Sequence, residues 1–106
     1  MVYVVQEATG KNILPATKFG DLRIMLPPGN IGFSPGAAVH TLNKEMSKFS
    51  DDDFLLLIGD PILIGIATAV AARWNNGKVK MLKWDRQEKV YYEVGIDLYN
   101  INRKES

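Results

Sequence analysis

The sequence predicts a small α/β domain: a mixed sheet of about five strands with two helices, a strand–helix–strand unit within it and a C-terminal hairpin after that. Three observations carry this. Leu55–Ile58 is apolar without alternation, as in an inner strand covered on both faces. Gly59-Asp60-Pro61 separates it from Ile62–Ala72, where nearly every residue is apolar, as in a buried helix. Lys78–Trp84 and Lys89–Val94 then alternate on either side of a polar turn, the pattern of two paired strands.

The remaining elements follow in order. Val2–Val5 is rich in β-branched residues and reads as a first strand. Ala8–Gly20 reads as a loop, with Gly10, Asn12 and Pro15 as turn formers. Asp21–Leu26 is a short strand with Leu22, Ile24 and Leu26 on one face. Pro27–Gly36 holds too much proline and glycine for a helix. Ser34 then caps a helix that Pro35 opens, and Val39, Leu42, Met46 and Phe49 form its apolar stripe, leaving the helix half exposed. Ser50 and Asp53 close a short turn. Asp60 caps the second helix, which reads as deeply buried, and Asn75-Asn76-Gly77 ends it. Gly95 is a candidate break in the last strand, with Ile96–Leu98 as its extension. The 106 residues suit one compact domain over 1–106, with a frayed tail from about residue 102.

Bulk properties exclude several classes. A formal net charge of +1 gives no global attraction to nucleic acid or membranes. With no cysteine there is no disulfide, thiol nucleophile or thiolate metal site, which fits a reducing compartment. The N-terminus lacks the pattern of a signal peptide. The longest apolar stretch, Pro61–Ala72, falls short of the roughly twenty residues a bilayer crossing needs, so no membrane association is expected.

No motif carries a catalytic or cofactor assignment. A helix start such as Gly59-Asp60 binds anions in some folds, but Asp60 occupies the anion's place and Pro61 removes one amide. Neither a dinucleotide fingerprint nor a Walker sequence is present. The glycine-rich loop ending at Gly36 and Ala37 is a second candidate anion site; the bland alternative is a plain connection. Asp51, Asp52 and Asp53 lack the calcium-loop spacing and read as a solvated patch. His40, the sole histidine, has no partner that the spacing demands. No metal or cofactor is expected.

The most suggestive surface is the hairpin. Lys78, Lys80, Lys83, Arg86 and Lys89 are interleaved with Trp84, Tyr91 and Tyr92. Lysines neutralise phosphates while aromatic rings stack on bases, so the patch suits nucleic acid. Tyrosine and tryptophan also favour protein interfaces, and lysines protect edge strands, so a protein partner or an inert solvated hairpin fits as well.

The run GDPILIGIATAVAARWNNGKVKMLKWDRQEKVYYEVGIDL, with SPGAAVHTL and FSDDDFLLLIGDP before it, resembles a group of small bacteriophage proteins. The resemblance covers most of the chain and brings no catalytic residue with it. It implies an accessory protein made in the cytoplasm of an infected bacterium. The preferred reading is a non-enzymatic binding or regulatory protein with an unidentified protein partner, a homodimer being favoured over a monomer because the hairpin edge can extend a sheet. The alternatives are nucleic-acid binding through the hairpin, and a small enzyme with its site at Gly59–Asp60 or Gly32–Gly36.

Overall fold

The computed structural model describes residues 1–29 and 35–100. Five strands form one sheet: β1 (Val2–Gln6), β2 (Leu22–Leu26), β3 (Phe54–Leu56), β4 (Lys78–Asp85) and β5 (Val90–Asp97). Their spatial order is β2-β1-β3-β4-β5. The first three contacts are parallel; β4 and β5 form the antiparallel hairpin. A 3-10 helix (Leu14–Phe19) joins β1 to β2, α1 (Gly36–Glu45) joins β2 to β3, and α2 (Pro61–Trp74) joins β3 to β4. The sheet is therefore mixed, with a β3-α2-β4 unit leading into the hairpin.

The chain leaves β1 toward one edge, then returns across β1 to β3. This reversal sends the connections to opposite faces, as crossovers of one hand require. Tyr3, Val5, Leu55 and Val79 pack under α1 and α2 with Leu42, Leu63 and Ala67. Val2, Val4, Leu56 and Leu82 face the other way, toward Ala16 of the 3-10 helix and its neighbours Ile13 and Phe19. β1 is buried along its whole length because it has a strand on each side and a layer on each face. That explains why Val2–Val5 shows no polar alternation.

Several local expectations shift. The loop before β2 contains the 3-10 helix, opened by Pro15 near its start. β3 ends at Leu56 rather than Ile58: the Ile58 amide donates to the Leu56 carbonyl at 3.0 Å, a tight turn that ends the ladder. α1 stops at Glu45, although Met46 and Phe49 of the expected stripe are still buried, in the turn that follows. Pro35 stands one residue before the helix instead of opening it, and the expected cap Ser34 lies outside the described residues, as does the tail from 102. Gly95 does not break β5; it pairs with Lys80 in a continuous ladder.

The largest correction concerns α2. It is not buried all round. Leu63, Ala67, Val70 and Ala71 face the core, but Ile62 is 60% exposed and Gly65, Ala69 and Arg73 lie on the open side. Among the described residues no second layer covers that side. Its small residues present little apolar area, so composition alone does not distinguish this helix from a fully interior one.

Asp60 stands at the N-cap of α2 in an extended conformation, and its Oδ1 accepts the Ile62 amide hydrogen at 2.8 Å, with Pro61 next in the helix. Asp60→Ala removes this acceptor and is expected to cost about 0.5–2 kcal/mol in urea denaturation.

Candidate functional site

Parallel strands bring the loops after β1, β2 and β3 to one edge of the sheet. Gln6, the last residue of β1, fastens them together. It is only 4% exposed. Its Oε1 accepts the Asp60 amide hydrogen at 2.8 Å, and its Nε2 donates to the carbonyls of Pro27 and Gly29. Its own amide donates to the Ile58 carbonyl at 3.1 Å. A buried amide side chain with all these partners is satisfied rather than costly. Gly59 makes the arrangement fit: its φ is +131°, and a Cβ there would lie 2.6 Å from the Gln6 Cβ.

Beside this clamp lies a cleft. β3 ends at Leu56, opposite Leu82, while β4 runs on to Asp85. The strands part beyond that pair and leave a cavity of about 430 Å³, lined by Gly10–Asn12, Leu56–Gly59, Leu82–Trp84 and Tyr91. Trp84 and Tyr91 are cross-strand partners whose rings meet edge to face at 4.9 Å. Tyr91 is buried, its hydroxyl donates to the Asn12 carbonyl at 3.4 Å, and burial raises the phenol above its ordinary pKa. The cleft sits at the carboxyl ends of parallel strands, beside the β1/β3 point where the winding reverses, a usual place for ligands in open α/β sheets.

The hairpin distributes the basic-aromatic set over two faces. Lys78, Lys80, Trp84 and Tyr91 lie on the side of the 3-10 helix; Lys83 and its cross-strand partner Tyr92 lie on the side of α1 and α2. Two of the lysines are engaged within the fold. Lys78 pairs with Asp51 at 3.5 Å, and the Asn75 amide together with Lys78 holds the Asp51 carboxyl below its usual pKa. The Lys80 ammonium stands 4.3 Å from the centre of the Phe54 ring. Arg86 and Lys89 belong to the exposed turn, where Asp85 Oδ1 accepts the amide hydrogens of Gln87 and Glu88. Glu93 and Asp97 share the face of Lys78 and Lys80, so no single-sign surface results.

β5 is an edge strand of eight residues. The Leu98 amide donates to the Gly77 carbonyl at 2.9 Å, so even-numbered residues turn their backbone toward β4. Tyr91, Glu93, Gly95 and Asp97 accordingly turn their amides and carbonyls outward. On the helical side, α2 does not reach the end of the sheet, and Val90, Tyr92 and Val94 are each 40% exposed.

The other expected sites are less developed. Gly36 and Ala37 are exposed at the start of α1, and most of the loop before them, including Gly32, lies outside the described residues. Asp53 accepts from the Ser50 amide and hydroxyl, a local turn rather than a converging ligand set. His40 is exposed. Among the described residues no group of acidic or histidine side chains is arranged to hold a metal ion, and no helix is long and apolar enough to cross a membrane.

The family model for Phage Pam3 gp32-like proteins matches residues 1–98. The chain belongs to that family. This agrees with the resemblance to small phage proteins and covers every strand and helix of the sheet. No curated protein and no solved structure matches the chain.

Gly59, Trp84 and Tyr91 stand out in the sequence, whereas Gln6 does not and Asn12 reads there only as a turn former. A lone glutamine closing an apolar strand is the signal that points to Gln6. Its partner Asp60 lies 54 residues away and has no sequence mark of the pairing.

Proposed function

We propose that this phage protein is a non-enzymatic binding protein, an accessory factor in the infected bacterial cytoplasm, that acts through protein–protein contacts at the β5 edge, and that a second copy of the chain takes that edge. The observation that carries the reading is the open β5 strand, with outward backbone groups and Val90, Tyr92 and Val94 each 40% exposed on one face. Natural proteins usually blunt such an edge. Here it is complementary to itself. In an antiparallel pairing centred on Tyr92, Val90 faces Val94 of the second copy and Tyr91 faces that copy's Glu93. The apolar stripe then continues across both copies, and the outward hydrogen-bonding groups find partners.

Sedimentation equilibrium tests this. The wild-type mass is expected to rise toward two chains with concentration. Val94→Lys sets a charge against the apolar Val90 of the second copy, and Glu93→Pro removes an outward amide without touching the β4 ladder. Both variants are expected to remain single chains with an unchanged circular dichroism spectrum. A wild-type protein that stays at one chain throughout the range contradicts the self-association.

A further inference from the structure

We propose that the cleft between the carboxyl ends of β3 and β4 binds a nucleotide-like small molecule: a planar aromatic ring carrying an anionic group. Its volume of about 430 Å³ falls within the roughly 300–1,000 Å³ of small-molecule sites. Leu56, Ile58 and Leu82 give it an apolar floor. Trp84, 39% exposed and braced edge to face by the buried Tyr91, offers a ring face for stacking.

The polar part of the lining favours an anion. It includes Lys11 and Lys83 and no aspartate or glutamate. Among the described residues neither lysine forms an ion pair. Lys83 extends its side chain to the helical face and lends mainly backbone to the cleft, so Lys11 is the cation best placed at the rim. The backbone supplies a further element. Odd-numbered residues of β4 turn toward β5, which leaves the amide and carbonyl of Trp84 directed to the β3 side, past the last β3 partner. A donor and an acceptor on one peptide edge suit the edge of a nitrogen heterocycle. Ring, edge and charge thus each have a counterpart in the cleft.

Titration of the ¹⁵N-labelled full chain with AMP, followed by amide shifts and tryptophan fluorescence, tests the site. Adenosine supplies the ring without the anion, and ribose 5-phosphate the anion without the ring. AMP is expected to give saturable shifts at Leu57–Gly59 and Trp84 and to bind more tightly than either fragment. Trp84→Ala is expected to weaken AMP by about tenfold. Lys11→Glu, at an exposed position, is expected to weaken AMP while leaving adenosine unchanged, and it keeps the test intact if Trp84→Ala unfolds the chain. The proposal is overturned if millimolar AMP, GMP and CMP all leave the cleft amides unshifted. It is equally overturned if ribose 5-phosphate matches AMP and both substitutions change nothing.

Discussion

Gly59→Ala is expected to lower stability by about 3 kcal/mol, one of the largest effects of any single substitution outside the core. The reason is geometric. The new methyl group would lie 2.6 Å from the Gln6 Cβ and 2.7 Å from its Oε1, and the φ of +131° is one that a residue with a side chain adopts only under strain. The Gln6 side chain cannot swing away freely, because it is bonded to Pro27, Gly29 and Asp60. Moving it breaks a buried network and leaves the Asp60 amide and two carbonyls in search of partners. Thermal melting is expected to fall by roughly 15 °C in a domain of this size. A fall of only a degree or two would mean that the three loops are held by something other than Gln6.

The second large effect separates two neighbours on α2. Leu63 is 1% exposed in the helical core, whereas Ile62, one residue earlier, is 60% exposed. Leu63→Ala is expected to cost about 2–5 kcal/mol, through lost apolar burial and the cavity left behind. Ile62→Ala is expected to stay within about 0.5 kcal/mol. Guanidinium denaturation of the two variants measures the contrast. Equal costs would imply that the outer face of α2 is covered after all, by a second chain or by residues outside the described set.

Much of the architecture is legible in the residues. Gly59-Asp60-Pro61 punctuates the passage from β3 to α2 so clearly that the strand–helix–strand unit follows from it. The alternation in Lys78–Trp84 and Lys89–Val94 places the hairpin. Other features depend on partners remote in sequence. Whether Ile62–Ala72 is buried on one side or all round depends on what packs against Ile62, Gly65, Ala69 and Arg73, which an apolar run does not state. The order β2-β1-β3-β4-β5 places β1 centrally, and nothing within Val2–Val5 states which strands flank it. The α1 stripe runs past the end of the helix because Met46 and Phe49 reach the core equally well from a turn.

The candidate surfaces divide in the same way. Trp84, Tyr91 and Tyr92 stand out by residue type. Strand alternation sends Tyr92 to one face and the other two to the opposite face, where they meet the end of β3. The cleft exists only because β3 is three residues long, and that shortness is set by the turn at Leu56–Ile58, which an apolar run does not announce. Lys78 and Lys80 looked available in the chain. In the fold they are engaged by Asp51 and Phe54, residues from the segment before and within β3.

Amide hydrogen exchange along β5, measured at low and high protein concentration, tests most directly whether a second copy completes the sheet. The amides of Tyr91, Glu93, Gly95 and Asp97 face outward, while those of Tyr92 and Val94 face β4. The outward set is expected to exchange quickly in dilute solution and to gain protection as concentration rises, with Tyr91 and Glu93 affected most, and the inward set is expected to be protected throughout. Rapid exchange of the outward amides at every concentration would contradict the proposal that the β5 edge joins two copies.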